Sequence, residues 1–319
     1  MKSCHFSFLR QTGARARGVA LAALILALPA FSHAAGEQQF NSPAAAVKAL
    51  TDAAKAGDTN AIHTIFGPEG HELISPDVVQ ATEGFKLFAK RLVERTTIVH
   101  QSDTKVEVDI GEDGWPFPIP LVKQGETWFF DVAAGREEIL NRRIGADELG
   151  AIDVCHAYVD AQREYSGRDH SGKGILEYAQ HLMSTKETHD GLYWPAHGAD
   201  ELSPLGPLVA QARGEGYHHK TGLLAEDQTP YHGYYFRILT KQGKHAPIGK
   251  YDYVINGHMI GGFALIAWPA EWGNTGVMTF IVNQQGKVYQ KDLGPKTESK
   301  AKCITSFDPD STWVPAVGK

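Results

Sequence analysis

Cysteine is scarce in this chain, with three among 319 residues. The 15 histidines include no His-x-x-x-His spacing, and no Cys-x-x-Cys occurs. Metal sites need several ligands brought close together, and such spacings are a common way to supply them. Gly172-Lys173-Gly174 and Ser203-Pro204-Leu205-Gly206 lack the full spacing of a phosphate loop or nucleophile elbow and are interpreted as turns. The sequence therefore predicts no metal, no cofactor and no assembled catalytic set.

Long apolar runs are equally few, because the only one extends from Val19 to Phe31. Four bases and no acid accompany it within residues 1–34, and small residues follow it. This pattern is typical of a secretory signal peptide, with cleavage after Ala34. Later segments are too polar to span a bilayer. We therefore predict a periplasmic or secreted protein without stable membrane insertion.

Basic residues do not dominate any part of the chain that follows this leader. The formal net charge is −6, and loss of the leader leaves 27 bases against 37 acids, a balance of −10. An acidic exported product argues against nucleic acid or an anionic membrane as partner. The expected partner is an envelope protein or an envelope polymer.

The first part of the mature chain, residues 36–135, changes from a helical to an alternating pattern. Helical periods cover a segment from Ser42-Pro43, a second over Thr59–Phe66 and a third over residues 82–95. Lys105–Ile110 alternates as a half-buried strand, and the three prolines of residues 115–120 predict a sheet edge or polyproline. A turn at 124–125 is predicted to complete a hairpin. This order resembles the cone-shaped folds similar to nuclear transport factor two, which implies a pocket.

The second part, residues 136–302, begins with a predicted short charged helix at 136–144 and a new helix after Gly145, with its N-terminus at Ala146-Asp147-Glu148. Residues 168–233 form an irregular connection, and strands are predicted at 234–240, 251–255, 263–268, 277–283 and 287–291. A hairpin turn at 284–286 is predicted to join the last two strands. On residues 262–269 and 280–289 this part is similar to the globular half of type IV pilins and pseudopilins, although its polar helix departs from a polymerising pilin. With a tail at 303–319, the chain is predicted to be α+β, with two domains of helices packed on antiparallel sheets.

Motifs along the mature chain resemble an exported bacterial family catalogued as domain of unknown function 2950. The segments that carry the likeness are residues 114–122, 158–165, 190–194, 231–236 and 278–283. The resemblance implies an exported bacterial protein and supplies no activity.

Aromatic residues on loops are the best candidates for recognition. Rings beside glycine and proline can stack on sugar faces or peptide side chains, while a phenol or indole N–H gives direction. Core packing is the alternative interpretation, because strand aromatics are commonly buried. The candidate binding residues are Trp115, Tyr193, Trp194, Tyr231, His232, Trp268 and Trp272, and among these we expect Trp194 and Trp272 to be exposed.

Two weaker patterns leave alternatives open. Asp169, Ser171 and Glu177 outline the spacing of a calcium loop, but Lys173 occupies a ligand position, which favours an ordinary turn. Cys155 and Cys303 could pair in an oxidising compartment, or Cys155 could be buried on a helix while Cys303 stays free.

We expect a non-enzymatic binding or assembly module of the periplasm or cell envelope. The alternative is a hydrolase that acts on an envelope glycan or peptide, and a structural protein without a small ligand is a third possibility. Intact glycan and peptide libraries after incubation would argue against hydrolysis.

Overall fold

Residues 36–195, 202–217 and 230–316 are described by the structure, a computed structural model. The predicted leader and the His218-His219 pair lie outside the described residues. Within these ranges no helix combines the length and the apolar character needed to cross a membrane. The described residues belong to one compact unit that covers residues 35–319.

Three helices open the unit, and local capping explains where they begin. α1 (Pro43–Ala56) starts after Ser42, whose hydroxyl accepts a hydrogen bond from the Ala45 N–H, and it ends at Gly57. α2 (Thr59–Phe66) is found as predicted, and a 3₁₀ turn (Pro68–Leu73) follows it. α3 (Val78–Glu94) starts four residues before the predicted position, because the carboxylate of Asp77 accepts hydrogen bonds from the first backbone N–H groups.

A four-stranded antiparallel meander packs against these helices. Its strands follow the order β1 (Thr96–His100), β2 (Lys105–Ile110), β3 (Trp115–Gln124) and β4 (Thr127–Phe130). Leu50, Ile65, Val106, Leu121 and Phe130 are among the buried residues of its core. The alternating pattern of β2 and the turn at 124–125 are confirmed, whereas β1 was not predicted.

The proline-rich segment lies inside β3 and is not polyproline. Val106 pairs with Leu121 and Val108 with Phe117, so β3 carries extra residues opposite β2 at a bulge. β4 pairs only with residues 121–124, which leaves the proline half of β3 with a strand neighbour on one side. The predicted sheet edge is therefore confirmed for this half alone.

A single 34-residue helix, α4 (Val132–Tyr165), continues from this sheet. The predicted short helix at 136–144 and the new start after Gly145 are wrong, because helical backbone runs through Gly145. A glycine inside a helix costs only about 1 kcal/mol relative to alanine. Packing on both sides outweighs that cost: Gly135 approaches the backbone of β3, and Tyr158 donates a hydrogen bond to the carbonyl of Ala264 at 3.1 Å. The predicted boundary between residues 135 and 136 falls inside α4.

The segment predicted as an irregular connection contains three short elements, β5 (His181–Met183), β6 (Gly191–Tyr193) and α5 (Gly206–Gly214). β5 and β6 pair in parallel. Leu192, Leu205 and Val209 are buried in the second core. The described parts of this stretch are therefore structured by packing into the second core.

The second sheet has five antiparallel strands in the order β15-β14-β13-β12-β7. These strands, with two accessory pairs and one helix, are β7 (Tyr234–Leu239), β8 (Lys241–Gln242), β9 (Tyr251–Asp252), β10 (Val254–Ile255), β11 (His258–Met259), β12 (Ala264–Pro269), β13 (Met278–Asn283), β14 (Tyr289–Asp292), α6 (Thr297–Cys303) and β15 (Val314–Pro315). The predicted packing of the helix after Gly145 on this sheet is confirmed, as is the hairpin turn at 284–286.

Two predicted features of this half differ from the structure. The strand predicted at 251–255 is divided between β9 and β10, which pair with β8 and β11 outside the five-stranded sheet. The chain turns back at Asn256 and Gly257, both with positive φ, as a two-residue hairpin requires. The predicted tail supplies β15 and the fully buried Phe307. The α+β class is confirmed, with helices and an antiparallel sheet around each core.

Candidate functional site

Most of the predicted recognition aromatics are core residues. Tyr193, Trp194, Tyr231 and Trp268 are at most 6 % exposed. Core packing therefore accounts for the bulk of these four side chains. The expected exposure of Trp194 is wrong, because imidazole rings of neighbouring loops cover its indole. Trp272 is 36 % exposed, as expected.

Charged neighbours already contact the Trp115 ring and the indole N–H of Trp272. The guanidinium groups of Arg91 and Arg142 lie 5.4 Å and 4.8 Å from the Trp115 ring. The Trp272 indole N–H donates to Asp292 at 2.8 Å. Trp115 is thus held by cation–π contacts, and Trp272 keeps only part of its ring surface in solvent.

The Trp194 cleft, which we define by Glu164, Arg168, Asp169, His170, His189, Trp194, Leu202 and Pro204, has a volume of about 200 Å³. It lies beyond the C-terminal end of α4. The His189 ring stacks on Trp194 with a centroid separation of 4.3 Å, and the His170 ring lies 5.5 Å from Trp194. His170 in turn stacks on Tyr165 at 4.0 Å. Four rings therefore form a continuous row along this cleft.

Hydrogen bonds hold the two histidines of the cleft, His189 through its backbone carbonyl and His170 through its ring. The Tyr165 hydroxyl donates to the carbonyl of His189 at 2.7 Å, and His170 Nε2 lies 3.1 Å from the carbonyl of Tyr165. Burial lowers the pKa of His170 below its usual value of 6.5. His170 is therefore neutral near pH 7. The cleft offers the neutral His170 ring and the Trp194 and His189 rings beside one guanidinium and two carboxylates.

The predicted pair Tyr231 and His232 lies in a tight hairpin turn that leads into β7. His232 and Gly233 both have positive φ, at 46° and 70°, and Tyr231 and Tyr234 exchange backbone hydrogen bonds across the turn. His232 Nε2 lies 2.7 Å from a carboxylate oxygen of Glu215. The turn is thus tied to Glu215, at the end of α5.

Beneath this turn lies a buried acid cluster that sequence reasoning missed. Asp77 and Asp147 are 2 % and 1 % exposed. Asp77 accepts hydrogen bonds from the Tyr217 hydroxyl at 2.6 Å and the Gly233 N–H at 3.2 Å. Gln80 donates a hydrogen bond to one carboxylate oxygen of Asp147. The other carboxylate oxygen of Asp147 has no hydrogen-bond partner among the described residues.

Burial raises the pKa of Asp147 to about 7, against the hydrogen bond from Gln80 and the charge of Arg143. The Arg143 guanidinium donates to the carbonyls of Leu73 and Ile74 and to the Asn274 side chain. These bonds join the 3₁₀ turn of the first half to the β12–β13 connection of the second. Asp77 and Asp147 are therefore buried where the two halves contact each other, and a substrate cannot reach them.

A signal for Asp147 was present in the sequence. Asp147, Ala151, Val154 and Tyr158 follow a spacing of four, three and four residues, and all four are buried. One carboxylate in an apolar helical stripe indicates a buried polar contact. The prediction instead assigned Asp147 to a helix N-terminus.

The calcium-loop residues form a turn in which Asp169 is already satisfied. Its carboxylate accepts hydrogen bonds from the N–H groups of Ser171, Gly172 and Gly174, which lower its pKa. Glu177 contacts His258 at 3.1 Å instead of this loop. No group of three or more metal-type side chains in ligand geometry occurs in the described ranges.

The two mature cysteines are free and lie on opposite faces of the second sheet. Cys155 is buried on α4, and Cys303 is exposed at the end of α6. Tyr234 points toward the α4 side, close enough to interact with Cys155. Arg237, three residues along β7, points to the other face and donates to the carbonyls of Ala301 and Ile304, which flank Cys303. Because the sheet separates the thiols, the structure favours the unpaired alternative.

The family model described as protein of unknown function (DUF2950) matches residues 37–316, and the chain belongs to that family. No curated protein matches the chain. No solved structure matches it either.

Proposed function

We propose that the protein is an exported, non-enzymatic binding module of the periplasm or cell envelope, and that the Trp194 cleft recognises an envelope polymer. The observation that carries this proposal is the contrast between two clusters. The Trp194 cleft is open to solvent and lined by stacked rings and charges of both signs. The acid cluster, which has the carboxyl with the most altered pKa, is sealed.

The lining of the cleft defines the ligand chemistry. Imidazole nitrogens form hydrogen bonds, and the exposed Arg168 and Glu164 can hold one group of each charge. Such a lining suits a peptide or glycan that carries hydroxyl, amide or zwitterionic groups. A strongly anionic polymer would be repelled by Glu164 and Asp169. The expected ligand is therefore a polar peptide or sugar segment of the envelope.

Export and assembly form the second part of the proposal. The apolar run followed by small residues supports cleavage of the leader and release into the periplasm. A helix packed across an antiparallel sheet that contains the β13–β14 hairpin supports a pilin-like role for the second half. In that role the half would present its loops to an envelope protein without entering a filament core.

One observation favours the hydrolase alternative. Asp147 has a pKa of about 7 and an unpartnered oxygen, both properties of a general acid or base. Gly233 is in close contact with that oxygen, since a Cβ on Gly233 would lie 2.6 Å from it. Hydrolysis would need the Tyr231–Tyr234 turn to move away from Asp147.

Calorimetric titration of residues 35–319 with purified envelope glycan and peptide fragments tests the proposal, with the mass of each fragment measured afterwards. We expect saturable binding of intact fragments. His189→Ala removes the ring that stacks on Trp194 and should weaken binding about tenfold, equivalent to ~1.4 kcal/mol. His100→Ala, on exposed β1, is the matched control and should not change the affinity.

Two results would contradict this function. Cleaved fragments would favour the hydrolase, and Asp147→Asn should then abolish cleavage. Equal affinities of the native protein and the His189→Ala variant would remove the Trp194 cleft as the binding site.

A further inference from the structure

A groove of about 330 Å³ lies on the face of the second sheet opposite α4. Its walls come from β13, β14 and the chain between α6 and β15. Ile281, Leu293 and Ile304 line it with apolar surface, the Trp313 ring adds a flat wall, and Lys291 and Lys300 bring the cations. It shares no lining residue with the Trp194 cleft.

The two lysines are available to an anion. Lys291 Nζ donates to the Thr312 hydroxyl at 2.6 Å and lies 5.8 Å from the Trp313 ring. Lys300 Nζ donates to the carbonyl of Leu293. Neither forms a salt bridge within the described ranges, in contrast to Lys302, which lies 2.6 Å from Glu298. Both ammonium groups therefore lack a carboxylate within salt-bridge distance.

Asp308, the acid that lines the groove, already contacts His245. One oxygen of Asp308 accepts a hydrogen bond from the His245 N–H at 2.7 Å and lies 3.1 Å from His245 Nδ1. The charge of Asp308 is thus directed toward the loop before β9. Asp310 also interacts with the charge of Lys291, so the positive charge left for a ligand comes from Lys300 and, in part, from Lys291.

The groove favours a single negative charge over a doubly charged phosphate. Its wall includes the C-terminal end of α6, where backbone carbonyls carry partial negative charge. The described lining contains no arginine, which is the usual residue for bidentate phosphate binding. Apolar side chains beside the lysines suit a compact hydrocarbon body attached to the anion.

We propose that this groove binds a small amphipathic carboxylate, one carboxylate on a compact apolar body. Two sources share this chemistry: a medium-chain carboxylic acid and a free peptide C-terminus that follows an apolar side chain. The volume corresponds to about eleven waters, enough for a ligand of about ten non-hydrogen atoms. The carboxylate lies between Lys291 and Lys300, and the apolar body packs on Ile281 and Trp313.

Cys303 gives the groove a built-in reporter. Its thiol lines the groove and is exposed, whereas Cys155 is fully buried behind the sheet. A bound ligand therefore shields Cys303 from a neutral alkylating reagent such as iodoacetamide. The alkylation rate of residues 35–319 measures occupancy without knowledge of the physiological ligand.

The experiment compares octanoate and N-acetyl-leucine with octanamide and N-acetyl-leucinamide. Ligands of this size bind with about millimolar affinity, so 10 mM acid should slow alkylation about tenfold. Protection by octanoate alone identifies a free acid as the ligand, and protection by N-acetyl-leucine alone identifies a peptide end. Equal protection by acids and amides, or none by either acid, overturns the proposal.

Charge removal supplies the second arm. Lys291→Gln and Lys300→Gln should each weaken binding of the acids about tenfold, as expected for loss of a charged hydrogen bond, so that 10 mM acid slows alkylation only about twofold. Lys302→Gln, on the same helix as Lys300, is the matched control. In this variant the acids should protect Cys303 as they do in the native protein. Thermal unfolding verifies that each variant is folded. Full protection in a folded Lys291→Gln, Lys300→Gln double variant would refute the assigned role of these lysines.

Discussion

Ile248 has the least favourable conformation among the exposed apolar residues of the described chain. Its φ is +75°, a region that β-branched residues rarely adopt, and its side chain is 91 % exposed. The turn around it is fixed from below by Gln242, which is 1 % exposed and donates to the carbonyls of Pro247 and Gly249 at 2.6 Å and 2.7 Å. Ile248 therefore cannot relax without breaking buried hydrogen bonds.

The magnitude of the strain follows from the side chain and its exposure. A left-handed conformation costs an L-residue about 1–2 kcal/mol, and a β-branched residue lies toward the upper end. Replacing Ile248 with glycine removes this cost, while the greater freedom of glycine in the unfolded chain costs about 0.5–1 kcal/mol. Little apolar burial is lost from a side chain that is 91 % exposed. Ile248→Gly should therefore stabilise the protein by about 1 kcal/mol.

Urea unfolding of residues 35–319 measures this gain as a higher midpoint at an unchanged slope. A gain of 1 kcal/mol corresponds to a rise in Tm of about 2–4 °C for a domain of this size. Ile260→Gly is the matched control, because Ile260 is 46 % exposed and lacks a positive φ. It should lower the stability by about 1 kcal/mol. A loss of stability in Ile248→Gly would refute the strain argument.

Three further changes test other parts of the structure. The pKa of Asp147 rises from 3.8 to about 7 on folding, so the stability present below about pH 4 is lost as the pH rises toward 7. The whole loss is about 4 kcal/mol, of which roughly 3 kcal/mol falls between pH 5 and pH 8. Urea unfolding at these two pH values should show that loss in the native protein but not in Asp147→Asn, and an unchanged pH dependence in the variant would contradict it. Gly233→Ala should destabilise by more than about 2 kcal/mol, since its Cβ would meet Asp147, whereas Gly273→Ala, with open space around it, should lose only about 1 kcal/mol in the same assay. Titration of residues 35–319 should detect two free thiols after denaturation without reductant, and one, Cys303, before it; no free thiol after denaturation would show that Cys155 and Cys303 pair.

The features that local chemistry determines were predictable from the sequence. The Ser42 cap and Gly57 stop bound α1, and the turns at 124–125 and 284–286 join their strands as expected. Each of these depends on residues within a few positions of one another. Periodicity likewise identified the helix after Gly145 and four of the five strands of the second sheet.

The features that depend on distant contacts were not predictable. Gly145 stays helical because α4 packs on two sheets, and neither contact is visible in the local pattern. Trp194 is buried by His170 and His189, which stand 24 and 5 positions away in sequence. The acid cluster combines Asp77 with residues 70 and 156 positions later. Exposure and ionisation are properties of such long-range neighbours, so the candidate site had to be corrected after the fold was known.

The interior of the first half bears on where recognition takes place. The resemblance to cone-shaped folds implied a pocket between its helices and its sheet. Aromatic side chains occupy that position: the Phe66 and Phe130 rings lie 5.5 Å apart, and the Phe88 and Phe117 rings 5.4 Å apart. A ligand there would have to displace these packed rings, at several kcal/mol for each buried aromatic. The open grooves described above lie in the second half, to which α4 connects the first half as one continuous helix of about 51 Å. Under the proposed function, the first half therefore supports the second, whose sheet carries the proposed binding surfaces.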